Sequence, residues 1–204
     1  MSILEHNGGA VVAMAGKNCF AIASDNRLGD GIKTLSMEVP KLVAVNKRCV
    51  VGLTGLRSDQ QTFSQKLKFR TEMYKLREER HISGKALTGM IVSMLYEARF
   101  GPWFIEPVIA SLNESGEVYL CATDLIGAPN EPQDYVCAGT SSESLHGMCE
   151  ALWRPDMDAD QLFETITQAL LSASDRDCLS GYGATVVVVT KDQVITRLVN
   201  GRKD

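Results

Sequence analysis

Four consecutive valines, Val186 to Val189, lie near the end of the chain with no polar residue among them. Successive side chains of a strand point to opposite faces, so a half-exposed strand alternates polar and apolar residues. A strand without that alternation needs cover on both faces. The span Ala184–Val189, a turn at Lys191-Asp192 and a partner from Gln193 to Leu198 therefore read as a hairpin inside a layered fold.

The rest of the chain supplies the layers. Ala10–Met14, a turn at Ala15-Gly16-Lys17-Asn18 and Cys19–Ala23 read as a first hairpin, which delivers Ser24-Asp25-Asn26-Arg27 at its end. Lys41–Val45 is a third strand, and Cys49–Leu53 a fourth that runs into Thr54-Gly55. Ser58 can cap a helix with Gln61 reaching back. Its apolar positions are Phe63, Leu67, Phe69, Met73, Tyr74 and Leu76, and its charged side, Lys66 to Arg80, reads as a solvated or subunit-facing surface. After His81-Ile82-Ser83-Gly84, a second helix from about Lys85 to Arg99 carries Leu87, Met90, Ile91, Met94 and Leu95 as core, and a short link predicts that the two helices lie antiparallel. Phe100-Gly101-Pro102-Trp103-Phe104 breaks the pattern. Strands at Pro107–Leu112 and Glu117–Ala122, a polar loop from Asp124 to Gln133 and a strand at Tyr135–Gly139 follow. Two more helices start near Thr140–Glu143 and Asp158, with Leu145, Met148, Cys149 and Leu152, then Leu162, Phe163, Ile166, Ala169 and Leu170, facing inward. The order is strands, two helices, strands, two helices, strands. Two sheets covered by outer helices satisfy it, although periodicity alone does not separate that arrangement from a three-layer α/β fold.

Composition narrows the function classes. At 204 residues, one domain spanning 1–204 with a sizeable core is expected. A net charge of -4 with no basic tail gives no reason to expect a nucleic-acid partner. The start, Met1 to His6, has no basic region before a long apolar run, so no signal peptide is expected. No apolar run approaches about 18 residues, so no membrane span is expected. Six cysteines at 19, 49, 121, 137, 149 and 178 form no close pair and read as reduced structural thiols of an intracellular protein. His6, His81 and His146 are far apart, where a zinc site needs clustered ligands, and no phosphate-binding or dinucleotide glycine pattern occurs. Neither a metal nor a cofactor is expected.

The layout of the first third resembles the beta-type subunits of the proteasome, within the N-terminal nucleophile hydrolases. In that family a threonine freed by cleavage after a glycine attacks the peptide carbonyl, with its own amine as base. Gly8 matches the glycine before the cut, and Gly9 stands at the nucleophile's position. Asp25 matches the aspartate ending the second strand, Lys41 the lysine beside the nucleophile, and Gly55 the glycine whose N–H serves the oxyanion hole. Asp177 and Ser180-Gly181 match the late aspartate and serine-glycine pair, and Thr140, after Gly139, takes the place of a supporting serine. The resemblance covers nearly all of the chain and implies the four-layer αββα sandwich of two antiparallel sheets.

Gly9 decides the function that this resemblance implies. Glycine carries no hydroxyl or thiol and cannot be acylated. Ser2 is the only early hydroxyl, seven positions before Gly9. The chain is thus similar to the non-catalytic beta subunits, and the Gly8–Gly9 bond is expected to stay intact. The cluster of Asp25, Lys41, Asp177 and Ser180 reads either as a surviving catalytic group or as an ion pair joining separate segments, and without a nucleophile the second is favoured. A free amide hydrolase of the same fold with an atypical nucleophile is the alternative. A weaker third reading is a binding module that uses the fold's cleft.

The resemblance also implies partners: other beta subunits in the same and the opposite ring, alpha subunits, and polypeptide substrates of the assembled particle, in cytoplasm and nucleus. Candidate contact segments are Phe100–Phe104, the loop from Asp124 to Gln133, and Asn200–Asp204. In the resembled particle, an inactive beta subunit helps wall the pocket of a neighbour with trypsin-like preference. Asp124, Glu131 and Asp134 are the acids that could favour a basic substrate residue there.

Overall fold

The computed structural model describes residues 2–202. Two five-stranded antiparallel sheets lie at its centre. The first joins β1 (Ala10–Gly16), β2 (Cys19–Asp25), β10 (Tyr135–Gly139), β11 (Ala184–Thr190) and β12 (Val194–Val199) in the order β10-β1-β2-β11-β12. The second joins β5 (Leu42–Asn46), β6 (Cys49–Gly55), β7 (Ile105–Leu112), β8 (Val118–Thr123) and β9 (Pro129–Asn130) in sequence order. A two-stranded ribbon of β3 (Leu28–Asp30) and β4 (Lys33–Ser36) stands apart. Helices α1 (Arg57–Glu78) and α2 (Gly84–Tyr96) supply one outer layer, and α3 (Ser142–Leu152) and α4 (Ala159–Ser174) the other.

Three apolar cores separate these four layers. Ala10, Val12 and Met14 of β1 point to α3 and α4, where they meet Leu145, Leu162 and Ile166. Val11 and Ala13, the alternate residues, point into the space between the sheets, against Val50, Val108 and Ala110. On the far side, Val51 and Ile109 pack with Phe63 and Leu67 of α1 and Leu87 and Ile91 of α2. The valine run divides the same way: Val186 and Val188 face the helices, while Val187 and Val189 face the other sheet. Both faces of β11 are covered, as the missing alternation predicts. The architecture is the expected αββα sandwich, and the three-layer alternative is set aside.

Several boundaries and faces differ from the sequence-based expectation. Helix α1 begins at Arg57 after Leu56, and Ser58 caps nothing. The Arg57 N–H instead donates to Asn7 Oδ1 at 2.8 Å, so a residue fifty positions away does the capping. Asp59 accepts the Phe104 N–H at 2.8 Å and ties the end of the aromatic break to the helix. Phe69 and Leu76 point outward, 68% and 75% exposed. Helix α2 stops at Tyr96, and the polar loop contains the short β9. Asp158 caps α4 as expected, in a reciprocal pair with Gln161. All six cysteines are free thiols.

Gly52 fixes how closely the sheets approach. A Cβ there would run into the Val11 side chain from the facing sheet. Gly52→Val is therefore expected to destabilise the chain by about 1–3 kcal/mol through overpacking, read as a lowered urea midpoint without a change in slope.

Candidate functional site

The matched residues fall at one end of the sandwich. Gly9 precedes β1, Asp25 ends β2, and Thr140 follows β10, all at the same end of the first sheet. Lys41 precedes β5 and Gly55 ends β6, at one end of the second sheet. Asp177 to Gly181 lie in the link from α4 to β11.

Asp25 and Lys41 form the centre. Asp25 is fully buried and Lys41 is 4% exposed. The Lys41 ammonium donates to Asp25 Oδ1 at 2.7 Å, to the Arg27 carbonyl at 2.8 Å and to the Asp25 carbonyl at 3.2 Å. Its three hydrogens are thereby committed. The Asp25 carboxylate also accepts backbone N–H groups from Ala10 at 2.9 Å, Gly181 at 3.2 Å and Arg27 at 3.3 Å. Burial holds the Lys41 ammonium below the usual lysine range; the Asp25 carboxylate opposes that shift, and the Arg57 and Arg27 cations add to it.

Gly9 sits against this pair with φ of 131°, a conformation that L side chains rarely adopt. A Cβ at Gly9 would stand 2.5 Å from Lys41 Cε and 3.0 Å from Cδ. The end of a lysine ordinarily moves aside, but here the ammonium is anchored on three acceptors. A side chain at residue 9 in this backbone conformation therefore requires the Lys41 side chain to shift. On the other side, Thr140 N–H donates to the Gly9 carbonyl at 2.9 Å, and its hydroxyl donates to Asp177 Oδ2 at 2.6 Å while lying 3.4 Å from the Gly9 N–H. Asp177 Oδ1 accepts the Leu179 N–H at 3.0 Å.

Two matched positions lie outside this network. Gly55, with φ of 101°, uses its carbonyl to accept from Gln60 Nε2 at 3.0 Å. Ser180 reaches Ser141 Oγ at 3.5 Å and does not meet Lys41. A cavity of about 580 Å³ beside Ser180 is lined by Arg27, Thr34, Asp177, Ser180, Gly181 and Tyr182 among others.

Two structural residues escape the sequence argument. The Arg27 guanidinium is buried and donates to Thr34 Oγ1, the Leu179 carbonyl, and the Gly31 and Ile32 carbonyls at 2.9–3.1 Å. It pins the β3–β4 ribbon to the late loop. Asn7 links the Gly29 carbonyl to the start of α1. Only the proximity of Arg27 to Asp25 in sequence hinted at the first, and nothing hinted at the second.

The three loop acids are not brought together. Asp124 Oδ1 accepts the Ile126 and Ala128 N–H groups within its own turn. Glu131 accepts the Tyr119 hydroxyl at 2.9 Å. Asp134 precedes β10, at the opposite end of that strand from Thr140.

Chemically, this arrangement holds and does not attack. Residue 9 offers no nucleophile, the lysine hydrogens are committed, and the Thr140 hydroxyl proton goes to Asp177. Lys41→Ala leaves the Asp25 carboxylate buried without its cation and is expected to cost about 3–5 kcal/mol of stability. Gly9→Ala is expected to cost less in the Lys41→Ala background than in the parent chain, because the clash with Cε and Cδ is gone. A double-mutant cycle of urea unfolding free energies reads that coupling, and simple additivity would refute the clamp.

Known proteins share this layout. The family model described as Proteasome subunit matches residues 5–189. "Proteasome subunit beta type-3" of Trypanosoma brucei brucei is 68% identical over 100% of both chains. "Proteasome subunit beta type-3-A" of Arabidopsis thaliana is 50% identical and "Proteasome subunit beta type-3" of Drosophila melanogaster 49%, again over 100% of both chains. The chain belongs to the proteasome subunit family, as a beta-type member similar along its whole length to beta type-3 subunits.

Proposed function

We propose that the chain is a non-catalytic structural subunit of the beta ring of the 20S proteasome core. It supports a particle in which neighbouring threonine protease subunits degrade ubiquitin-marked polypeptides. The observation that carries this reading is Gly9, which lacks a nucleophilic side chain and whose Cβ space Lys41 occupies. A free hydrolase with an atypical nucleophile draws no support from Ser2, whose hydroxyl accepts the Leu4 N–H in a turn closed by Glu5. Asp25, Lys41, Gly55, Thr140, Asp177, Ser180 and Gly181 are, in this reading, remnants of a catalytic centre retained as framework. The partners are beta subunits of the same and the opposite ring and alpha subunits, in cytoplasm and nucleus.

Intact-mass measurement of the chain from the assembled particle tests the chemical half. The Gly8–Gly9 bond is expected to be uncut, and a covalent inhibitor directed at N-terminal threonine is expected to label neighbouring subunits and spare this one. A chain starting at Gly9, or one carrying the inhibitor, overturns the reading.

We further propose that one acid of Asp124, Glu131 and Asp134 helps wall a neighbour's pocket for basic residues. Neutralising it (Asp124→Asn, Glu131→Gln or Asp134→Asn) is expected to weaken cleavage after Arg or Lys in assembled particles while sparing cleavage after Leu or Glu. Three assembled variants with unchanged preference refute the pocket-wall role and leave the structural role standing.

A further inference from the structure

The cavity of about 580 Å³ between the β3–β4 ribbon and the link from α4 to β11 has the size of a small-molecule site. Three guanidiniums line it, from Arg27, Arg176 and Arg202, against two carboxylates, Asp175 and Asp177. Asp177 is already committed, one oxygen to the Leu179 N–H and the other to the Thr140 hydroxyl. Asp175 is exposed to solvent.

Arg27 is the unusual member of this wall. It is 2% exposed, yet it forms no ion pair among the described residues. Its side chain donates to neutral oxygens alone: the Thr34 hydroxyl and the carbonyls of Leu179, Gly31 and Ile32. A guanidinium has five N–H groups, so one, on Nη1, has no acceptor among the described residues. Asp25, two residues away, is taken by Lys41. A buried cation met only by neutral oxygens leaves its surroundings electropositive, because little water is there to screen it. Arg176 is exposed on the same cavity, and its side chain is likewise outside every ion pair of the described residues. Tyr182 joins the wall from a turn with φ of 58°, between Gly181 at 135° and Gly183 at 84°. A bulky residue rarely adopts that conformation, and such outliers gather at binding sites.

We propose that this cavity binds a small molecule carrying a phosphate group, held by the guanidiniums of Arg27 and Arg176, with Tyr182 beside its organic part. Phosphate is favoured over carboxylate because its tetrahedral oxygens serve two guanidinium forks at once, whereas a planar carboxylate is filled by one. The proposal does not rest on the assembly reading.

Titration calorimetry of inorganic phosphate into the full chain, at constant ionic strength, tests it. Saturable binding is expected, weakened about tenfold in Arg176→Ala and largely kept in Arg176→Lys. Arg176 is exposed, so the urea midpoint without phosphate is expected to stay unchanged, which separates lost binding from lost structure. Acetate is expected not to compete. No binding, equal affinity in Arg176→Ala, or competition by acetate at the same concentration overturns the proposal. A second measurement does not depend on the isolated chain: the assembled particle is imaged by cryo-electron microscopy with and without pyrophosphate. Added density between Arg27 and Arg176 is the expected result. A neighbouring polypeptide filling the cavity, or no added density, overturns the proposal and leaves the assembly reading intact. A chain absent from every particle removes the assembly reading and leaves the calorimetric result to decide this one.

Discussion

The Lys41–Asp25 ion pair is the contact on which the rest of the centre depends. Breaking it would strand a carboxylate that also gathers backbone N–H groups from the start of β1, the end of β2 and the loop before β11. Gly181 in that loop lies 156 positions from Asp25 in sequence. One buried charge therefore sets the mutual position of two sheets and a late loop. The desolvation cost of such a pair is large, and it is offset only when the remaining lone pairs and hydrogens find partners, as they do here. The glycine at residue 9 belongs to the same construction, since the Lys41 chain lies where a Cβ at residue 9 would point.

Around that centre, Arg27 and Asn7 extend the network to elements that contribute nothing to the main sheets. Arg27 binds the ribbon through three hydrogen bonds and the Leu179 carbonyl through a fourth, and Asn7 ties the ribbon to α1. A framework of this kind keeps its geometry without performing a reaction. That suits a subunit whose task is to hold shape within a larger particle.

Much of the fold was legible because burial leaves a periodic trace. The valine run of β11, the alternating halves of β1 and the helical spacing of Leu162, Ile166 and Leu170 all announce their neighbours. The misassigned positions follow from what local pattern cannot carry. Phe69 and Leu76 look like core because apolar residues at helical spacing usually are, and sequence does not say which of two stripes faces inward. The start of α1 lies two residues before the one that Ser58 suggests because its donor is satisfied from Asn7, not from a neighbour. The ribbon leaves no trace in the sequence because Leu28–Ser36 has no alternation and is held by the buried guanidinium of Arg27. In the site, residue types and spacing pointed to Asp25, Lys41 and Gly9. The close approach of Lys41 to residue 9 exists only in three dimensions.

The order of the first sheet has a consequence for how the chain acquires its structure. The hairpin of β1 and β2 lies between β10 and β11, whose partners are paired as Ala10 with Gly139 and Asp25 with Ala184. During synthesis, the hairpin leaves the ribosome long before either flanking strand exists. For most of that time both of its edges are open and both apolar faces uncovered, the condition in which strands add to the wrong neighbour. Long-range pairing of this kind also folds slowly, because loop closure precedes the contacts that reward it. The nascent chain is therefore most vulnerable to aggregation until residues 184–199 have emerged.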